Sequence, residues 1–365
     1  MDKVYKGFLG ICIVSAFIVV IELIMGYRAE VGPFVTVFFI SFAVGVRRIP
    51  ALRSFTFTLW VIAAISTAMF YPSWFREIHG FNLERLFIPL MQVIMFGMGT
   101  AMSFHDFVGV VKMPKGVFVG LLCQFSIMPF LGFALAKIFH FPPEVAAGII
   151  LIGATPCGLA SNVMNYIAKS NLALSVTLVA VSTLMAPVVT PLLMKLYAGQ
   201  MVPIHFADMM FVIIKIVILP IIAGLIFNKL FHGRAKWLDR TMPIVSMAGI
   251  TYIITITIAA GRDELLVIGA LLVFVEILHN ALGYMFGYWG ARLFGMDEKS
   301  CRTIAISVGL QNGGMASGIA MEMGKLKTMG LATVVFGPWM NVSGSVVANW
   351  WSRKPIKEEN AAGQR

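Results

Sequence analysis

The chain has 365 residues, of which 59% are hydrophobic and only 12% are charged, and its formal net charge is +11. Soluble globular domains carry about 25% charged residues, so this composition excludes a soluble domain and indicates a polytopic membrane protein whose main partner is the lipid bilayer. In such a protein, basic residues in short loops are topology signals, and no nucleic-acid partner is expected. The four cysteines have no CxxC spacing, which argues against a zinc site or a disulfide framework, and no cofactor is predicted.

Twelve apolar segments are candidate membrane spans, because a helix that crosses a bilayer needs about 20 mainly apolar residues. They lie near 8–26, 33–46, 54–72, 86–103, 116–137, 145–167, 170–194, 207–228, 241–260, 265–288, 303–324 and 328–350. The first segment has no small-residue cleavage site and is interpreted as a retained helix, and the short second one could be re-entrant. We therefore predict an extra N-terminal helical hairpin over residues 1–50, a main membrane domain over 51–352 and a tail over 353–365.

The distribution of basic residues predicts the orientation of the chain. If the N terminus is cytoplasmic, 19 of the 28 Lys and Arg residues lie in cytoplasmic segments. This bias predicts an inner-membrane protein with both termini on the cytoplasmic side.

From residue 54 onward, the remaining ten spans divide into two groups of five, about 54–196 and 207–352. Because five is odd, the second group enters the membrane with the opposite orientation, which is the geometry of an inverted repeat. The fourth span of each group is interrupted by glycine, proline and polar residues, in ATPCGLASNVMNY (154–166) and in SVGLQNGGMASG (307–318). The preceding span carries an amide in each group, Gln124 in the first and Asn280 in the second. The predicted fold is an all-α, ten-helix inverted repeat (5+5) with two broken helices.

Two broken helices can form a binding site. Backbone groups freed by a break must be satisfied by protein, water or a bound ion, since each unsatisfied group costs several kcal/mol in hydrocarbon. Freed carbonyls can bind a cation, and half-helix N-termini can bind an anion. The alternative is a pair of glycine-kinked packing helices whose Ser and Asn side chains bond between helices. The matching positions of the two interruptions favour the binding site.

The motifs QFSIMP, GLASNVMNYIAKSN, HNALGY, CRTIAISVGLQNGG and NVSGS resemble the bile acid:sodium symporter family from about residue 54 to 352. The resemblance implies a core domain, with two crossed broken helices, that moves against a panel domain. It also implies sodium-driven transport by alternating access of an organic anion, such as a bile acid or a small carboxylate. Residues 1–50 fall outside the resemblance.

The resemblance further implies which residues bind the ions and the substrate. One sodium site would use Ser161, Asn162, Ser175 and Ser307. A second would use Gln124, Ser307, Val308, Leu310 and Gln311. Substrate contacts are predicted at Leu159, Asn312 and Asn341.

Two positions depart from the family pattern. Ser307 stands where the family has Glu, and Val179 stands where it has Thr. Both changes remove oxygen ligands, which a hard cation needs, and the first also leaves bound sodium without a compensating charge. The cation site is therefore expected to be weakened, and one-sodium coupling, proton coupling and facilitated transport all stay open.

Single residues suggest other functions. Glu276 lies within a late span, where a carboxylate is a candidate proton carrier, although it could instead face a vestibule or pair with His279. Cys157, beside the first break, could serve a metalloid exporter, since a thiolate is a soft ligand. The spans lack HExxH, GxSxG and paired aspartates, which argues against an enzyme, and they lack rings of charge, which argues against a channel. The oligomeric state is not predicted.

Overall fold

The computed structural model describes residues 3–26, 31–49, 56–231 and 236–354. The predicted domain boundary at residues 50 and 51, and the tail from residue 355 onward, lie outside the described residues. The chain begins with helices α1 (Lys3–Met25) and α2 (Val31–Gly45), and α2 packs between α1 and α3 (Thr56–Phe70). Side chains along α1 such as Phe17 and Ile24 are exposed. This surface is suited to contact with lipid acyl chains.

Thirteen further α-helices follow α3 within the described residues. They are α4 (Phe87–Thr100), α5 (Gly109–Lys112), α6 (Pro114–Ile138), α7 (Pro143–Ala154), α8 (Ala160–Ile167), α9 (Leu172–Ala198), α10 (Phe206–Ile213), α11 (Leu219–Phe231), α12 (Lys236–Ala260), α13 (Arg262–Leu293), α14 (Glu298–Gly309), α15 (Gly313–Glu322) and α16 (Met329–Ser352). A π-helical turn, Ile214–Ile218, makes α10 and α11 one continuous segment. The prediction of an all-α polytopic membrane protein is confirmed at this level.

One short β-hairpin departs from the all-α prediction. Strand β1 (Glu77–Ile78) pairs antiparallel with β2 (Phe81–Asn82), and the two-residue turn between them is His79-Gly80. Both turn residues have positive φ, 50° and 81°, as a type I′ turn requires. The hairpin lies in the connection between α3 and α4, where the sequence analysis predicted only a loop.

Single helices account for only part of the twelve predicted spans. Six continuous segments of the described chain are long and apolar enough to cross a membrane, and a bent pair, Leu83–Thr100 with Phe104–Lys112, is a seventh candidate. Helices α2, α3 and α7 and the Ile244–Ala260 part of α12 are apolar but shorter. The predicted spans at 145–167 and 303–324 are each divided into two helices by a break, so neither is one long helix. The number of spans stays a prediction.

The first halves of the two broken helices are buried on all sides. In α7 every residue from Val145 to Ala154 is buried, and in α14 every residue from Ser300 to Gly309 is buried. A helix without a solvent or lipid face must be surrounded by other helices. Helix α7 packs against α6, α9 and α16, and α14 packs against α6, α9 and α13. Both breaks therefore lie in the protein interior.

The two breaks approach so closely that a side chain at Gly158 would collide with the other break. A Cβ there would lie 2.6 Å from the Gln311 carbonyl oxygen, whereas a Cβ at Gly337 in α16 would meet nothing within 4 Å. We expect Gly158→Ala to destabilise the protein by about 1–3 kcal/mol, the usual cost of overpacking, because backbone and not a flexible side chain must move.

The measurement is thermal unfolding of the purified protein in detergent, with Gly337→Ala as the matched control. An equal melting temperature for Gly158→Ala and the wild-type protein would contradict the close approach of the breaks.

Candidate functional site at the crossing of two broken helices

A backbone β-bridge between Cys157 and Gln311 joins the two breaks. The bridge has two hydrogen bonds: Gly158 N–H to the Leu310 carbonyl at 2.7 Å, and Asn312 N–H to the Pro156 carbonyl at 2.9 Å. Two chain segments that no longer follow a helix thus satisfy each other as short antiparallel strands do. Because these bonds join backbone groups, they require no particular side chains, and only the glycine and proline residues that interrupt the two spans predict the crossing.

Each break is also bound by an amide side chain from the helix that precedes it. Gln124, fully buried on α6, donates through Nε2 to the Thr155 carbonyl at 3.0 Å. Asn280, fully buried on α13, donates through Nδ2 to the Gly309 carbonyl at 2.7 Å. Both carbonyls lie at the end of a half-helix, where no backbone N–H from a following helical turn is in position to donate to them. The two amides therefore have the same role, since each donates to the carbonyl at the end of a half-helix.

Gln124 also connects the first break to the second. Its Nε2 lies 2.7 Å from the Gln311 Oε1, and the Gln311 Nε2 donates to the Val308 carbonyl at 2.5 Å. Cys157 Sγ donates to the Gln124 Oε1 at 3.3 Å. The structure therefore brings Gln124, Val308 and Gln311 together, and Leu310 joins them through the backbone bridge. The carbonyls of Val308 and Leu310, expected as cation ligands, each already accept one hydrogen bond and keep a second lone pair.

Two predicted residues of the other cation site, Asn162 and Ser175, are in direct contact. Ser175 Oγ on α9 donates to the Asn162 Oδ1 on α8 at 2.7 Å. Two residues that the sequence analysis missed complete this network: Asn165 Nδ2 donates to Ser175 Oγ at 2.8 Å, and Ser170 Oγ donates to Asn165 Oδ1 at 2.6 Å. The sequence could have indicated both residues, since they lie in the NYIAKS segment between the predicted ligands Asn162 and Ser175.

Three buried hydroxyls, one each on α8, α9 and α14, lack a hydrogen-bond partner among the described residues. No hydrogen bond to the Oγ of Ser161, the Oγ1 of Thr183 or the Oγ of Ser307 occurs within the described part of the chain. Buried polar groups in proteins are nearly always paired, so each unpaired hydroxyl marks a position where an ion or water can bind. Ser161 and Ser307 were predicted, whereas Thr183 was not. Thr183 lies one turn after Val179 on α9, on the same face of that helix.

A cavity of about 650 Å³ opens beside the crossing. Its lining residues come from three single helices, α4, α12 and α16, and from the two breaks together with the helices α8 and α15 that follow them. They are Ile94, Met95, Gly97, Met98, Thr100, Ala101, Gly158, Leu159, Ala160, Val163, Met242, Ser246, Met247, Ile250, Gln311, Asn312, Gly313, Gly314, Met340 and Asn341, of which Ala101 directly follows α4. All three predicted substrate contacts, Leu159, Asn312 and Asn341, are among them. The volume falls within the range of roughly 300–1,000 Å³ that ligand pockets occupy.

The cavity has an apolar wall and a polar end. Five methionines line it, and among the described lining residues none is charged. The N-termini of α8 and α15 lie at its polar end, with Asn312 as the cap of α15, where its Oδ1 accepts from the Met315 N–H. No hydrogen bond to the backbone N–H of Leu159, Ala160 or Gly314 is found in the described part of the chain. These amides can therefore donate to an anion without a basic side chain.

Glu276 lies apart from this cavity. It is fully buried on α13, with Oε2 3.4 Å from the His279 Nδ1, while the His279 Nε2 contacts the Met128 carbonyl at 3.0 Å. The Oε1 of Glu276 has no hydrogen-bond partner among the described residues. The alternative to a proton carrier was that Glu276 faces a vestibule or pairs with His279; the side chain is fully buried and contacts His279.

We expect Gln124→Ala to lower the free energy of unfolding by roughly 2–4 kcal/mol. It leaves the Thr155 carbonyl and the Gln311 side-chain oxygen without a donor in the interior, and each such group costs about 1–3 kcal/mol. Gln92→Ala is the matched control, because the Gln92 Nε2 makes one long 3.3 Å bond to the Lys215 carbonyl at the surface. The measurement is thermal unfolding in detergent. Equal losses in both variants would contradict the role of Gln124 at the crossing.

Comparison with known proteins identifies the family. The sequence pattern described as Sodium Bile acid symporter family matches residues 88–268. The chain is 38% identical over 315 residues to the uncharacterized sodium-dependent transporter YocS of Bacillus subtilis, covering 86% of this chain and 96% of YocS. It is 31% identical to the probable sodium/metabolite cotransporter BASS1 of Arabidopsis thaliana, covering 87% of this chain and 78% of that protein.

A mammalian relative supports the same assignment. The ileal sodium/bile acid cotransporter of Homo sapiens is 31% identical over 252 residues, which cover 67% of this chain and 71% of the human protein. These relatives are transporters and not enzymes. The chain is a multi-pass membrane protein that belongs to the sodium bile acid symporter family.

Proposed function

We propose that this protein is a secondary transporter that moves an organic anion across the membrane by alternating access. The observation that carries the proposal is the cavity at the crossing, where the ends of two half-helices and the amides of Gln311 and Asn312 meet an apolar wall. A transporter that must release its substrate benefits from such a site, because binding by backbone dipoles avoids a permanent charge at membrane depth.

The substrate that fits this cavity has an apolar body and one anionic group, as a bile acid-like molecule or a small carboxylate has. The anionic group would accept hydrogen bonds from the N–H groups of Leu159, Ala160 and Gly314, with the Asn341 side chain nearby. The apolar body would contact the methionines. Methionine side chains are flexible and polarizable, so this wall suits substrates of varied shape.

The helix contacts support a division into two moving parts. One group, the proposed panel, consists of α3, α4 and α10–α12, in which α4 packs against α11 and α12. The other, the proposed core, consists of α6–α9 and α13–α16 and contains both breaks. The cavity lies between α4 and α12 on one side and the breaks with α16 on the other. We propose that each group draws its helices from two inverted repeats, over about 54–196 and 207–352, and that their relative movement exposes the cavity to alternate sides.

Sodium is the proposed coupling ion, since the related proteins are named as sodium-dependent transporters or sodium cotransporters. Its sites would use the hydroxyls of Ser161 and Ser307, the Asn162–Ser175 pair and the second lone pairs of the Val308 and Leu310 carbonyls. The Thr183 hydroxyl, one turn from Val179, is a replacement ligand for the oxygen that Val179 lacks. With Ser307 in place of a carboxylate, the bound cation keeps an uncompensated charge, so we propose that sodium binds weakly.

A proton-coupled or facilitated carrier is the second candidate, and Glu276 is the observation that favours it. A fully buried carboxylate with an unpaired oxygen beside His279 can gain and lose a proton as helices move. In either case we propose that the protein lies in the inner membrane with both termini cytoplasmic.

We expect Gln311→Ala and Asn162→Ala each to reduce uptake of a radiolabelled organic anion into proteoliposomes to background. The first removes the amide that links the breaks, and the second removes the acceptor of the Ser175 hydroxyl. Asn349→Ala on α16 is the control, because the exposed Asn349 Nδ2 only bonds to Ser345. Uptake at the wild-type rate in both site variants would reject the proposed site.

The coupling ion is tested by thermal unfolding in sodium, potassium and choline chloride at matched ionic strength and at two pH values. Sodium should raise the melting temperature selectively, and Gln311→Ala should lose this effect. Ser307→Glu should strengthen it, since a carboxylate adds two oxygens and the missing charge, whereas Ser307→Gln should not. No sodium effect, combined with a pH dependence that Glu276→Gln removes, would reject sodium in favour of protons.

A further inference from the structure

A second pocket, away from the crossing, is lined mainly by basic residues together with one tryptophan. Its volume is about 360 Å³, and it lies where the loop after α8, the first turns of α14 and the end of α16 meet. Its lining residues are Ala168, Lys169, Lys299, Arg302, Trp351, Ser352, Arg353 and Lys354. Five of these eight are Lys or Arg, drawn from three distant parts of the sequence. The proposed function leaves this pocket unassigned.

The pocket is built around a buried arginine. Arg302 is only 4% exposed, and its Nη1 donates to the carbonyls of Trp351 and Lys354 at 3.1 and 3.2 Å. Its Nε donates to the Glu298 Oε1 at 2.7 Å. Arg302 therefore fixes the end of α16 against α14 and is already neutralised by one carboxylate.

The other four basic side chains have no such counter-charge in the part of the chain that the structure describes. Within the described residues, ion pairs occur for Lys215, Arg262, Arg302 and Lys325 and for His279, but not for Lys169, Lys299, Arg353 or Lys354. The acidic groups nearest to them along α14 are also engaged: Asp297 caps the helix through Ser300, and Glu298 binds Arg302 and the Tyr288 hydroxyl. The pocket therefore keeps a strong positive charge.

Aromatic residues around the pocket mark a membrane interface. Trp350 is 52% exposed, and the Lys354 Nζ lies 3.7 Å from the centre of its ring. Trp289, near the end of α13, is 59% exposed. Exposed tryptophans concentrate at the level of lipid headgroups. The basic pocket would therefore lie at the depth where lipid phosphates lie.

We propose that this pocket binds a phosphate-bearing anion, supplied either by the headgroup of an anionic lipid or by a soluble phosphate compound. Several Lys side chains around a concave surface suit a ligand with several anionic oxygens, and each adds a charge-assisted hydrogen bond. The bound anion would join the end of the first broken helix, the start of the second and the end of α16. Its occupancy would hold these three segments together, which makes the pocket a regulatory site. This inference does not depend on the transported substrate or the coupling ion.

The test uses the purified full-length protein in detergent. Binding and melting temperature are measured with cardiolipin, phosphatidylglycerol or phosphatidylcholine, and separately with inorganic phosphate or pyrophosphate against chloride at matched ionic strength. The test variant is Lys169→Gln/Lys299→Gln/Lys354→Gln, which leaves the structural Arg302 intact. The control is Lys6→Gln/Lys112→Gln/Lys229→Gln, which removes the same charge from exposed residues outside the pocket.

We expect the test variant to bind the phosphate-bearing anion at least about tenfold more weakly, because each basic residue near a headgroup contributes about a fivefold factor in affinity. The affinity of the control variant should stay within about twofold of the wild-type value. An effect confined to anionic lipids identifies the headgroup as the ligand, and an effect of phosphate or pyrophosphate identifies a soluble source. No selective effect of either, or equal losses in both variants, overturns the proposal. If the test variant does not fold in phosphatidylcholine, Lys299→Gln alone is compared with Lys112→Gln.

Discussion

The structure depends on one constraint: a backbone group in the membrane interior must find a partner within the protein. Helices α7 and α14 end in the interior, where water cannot reach their last carbonyls. The two breaks bond to one another through the Cys157–Gln311 bridge, while Gln124 bonds the Thr155 carbonyl and Asn280 bonds the Gly309 carbonyl. Everything else at the site follows from this crossing, because the half-helix ends that line the cavity are held in place by it.

The same constraint explains why the two broken helices would stay bound to each other during the proposed transport cycle. Gln124 contacts both breaks, so the two broken helices are cross-linked by side chain as well as by backbone. A change that separated them would expose several polar groups to hydrocarbon at once. In the proposed transport cycle, movement would be easier along the cavity, where methionine side chains of α4 and α12 face the breaks.

The sequence predicts the helical class, the two breaks and the residues that gather around them, because hydrophobic length and glycine or proline interruption are local signals. Gln124 and Asn280 were identified by their matching positions, although their carbonyl partners were not. The partners depend on how helices far apart in sequence pack. The same reason explains why Asn165, Ser170 and Thr183 were missed, and why Glu276 could not be placed. The His79-Gly80 hairpin was also missed, since two-residue strands leave no hydrophobic pattern.

The crossing also constrains how the protein is made. The hydrogen bond from Gln124 to Gln311 joins residues 187 positions apart, and the backbone bridge joins Cys157 to Gln311, which are 154 positions apart (311 − 157). While the ribosome is still translating the second half, the Pro156 carbonyl and the Gly158 amide of the first break do not yet have their hydrogen-bond partners. The nascent chain must therefore keep this segment hydrated or sheltered by the insertion machinery until α14 and α15 arrive. Completion of the site therefore waits for residues 310–312, and a chain that stops before residue 310 would leave the Pro156 carbonyl and the Gly158 amide without these partners.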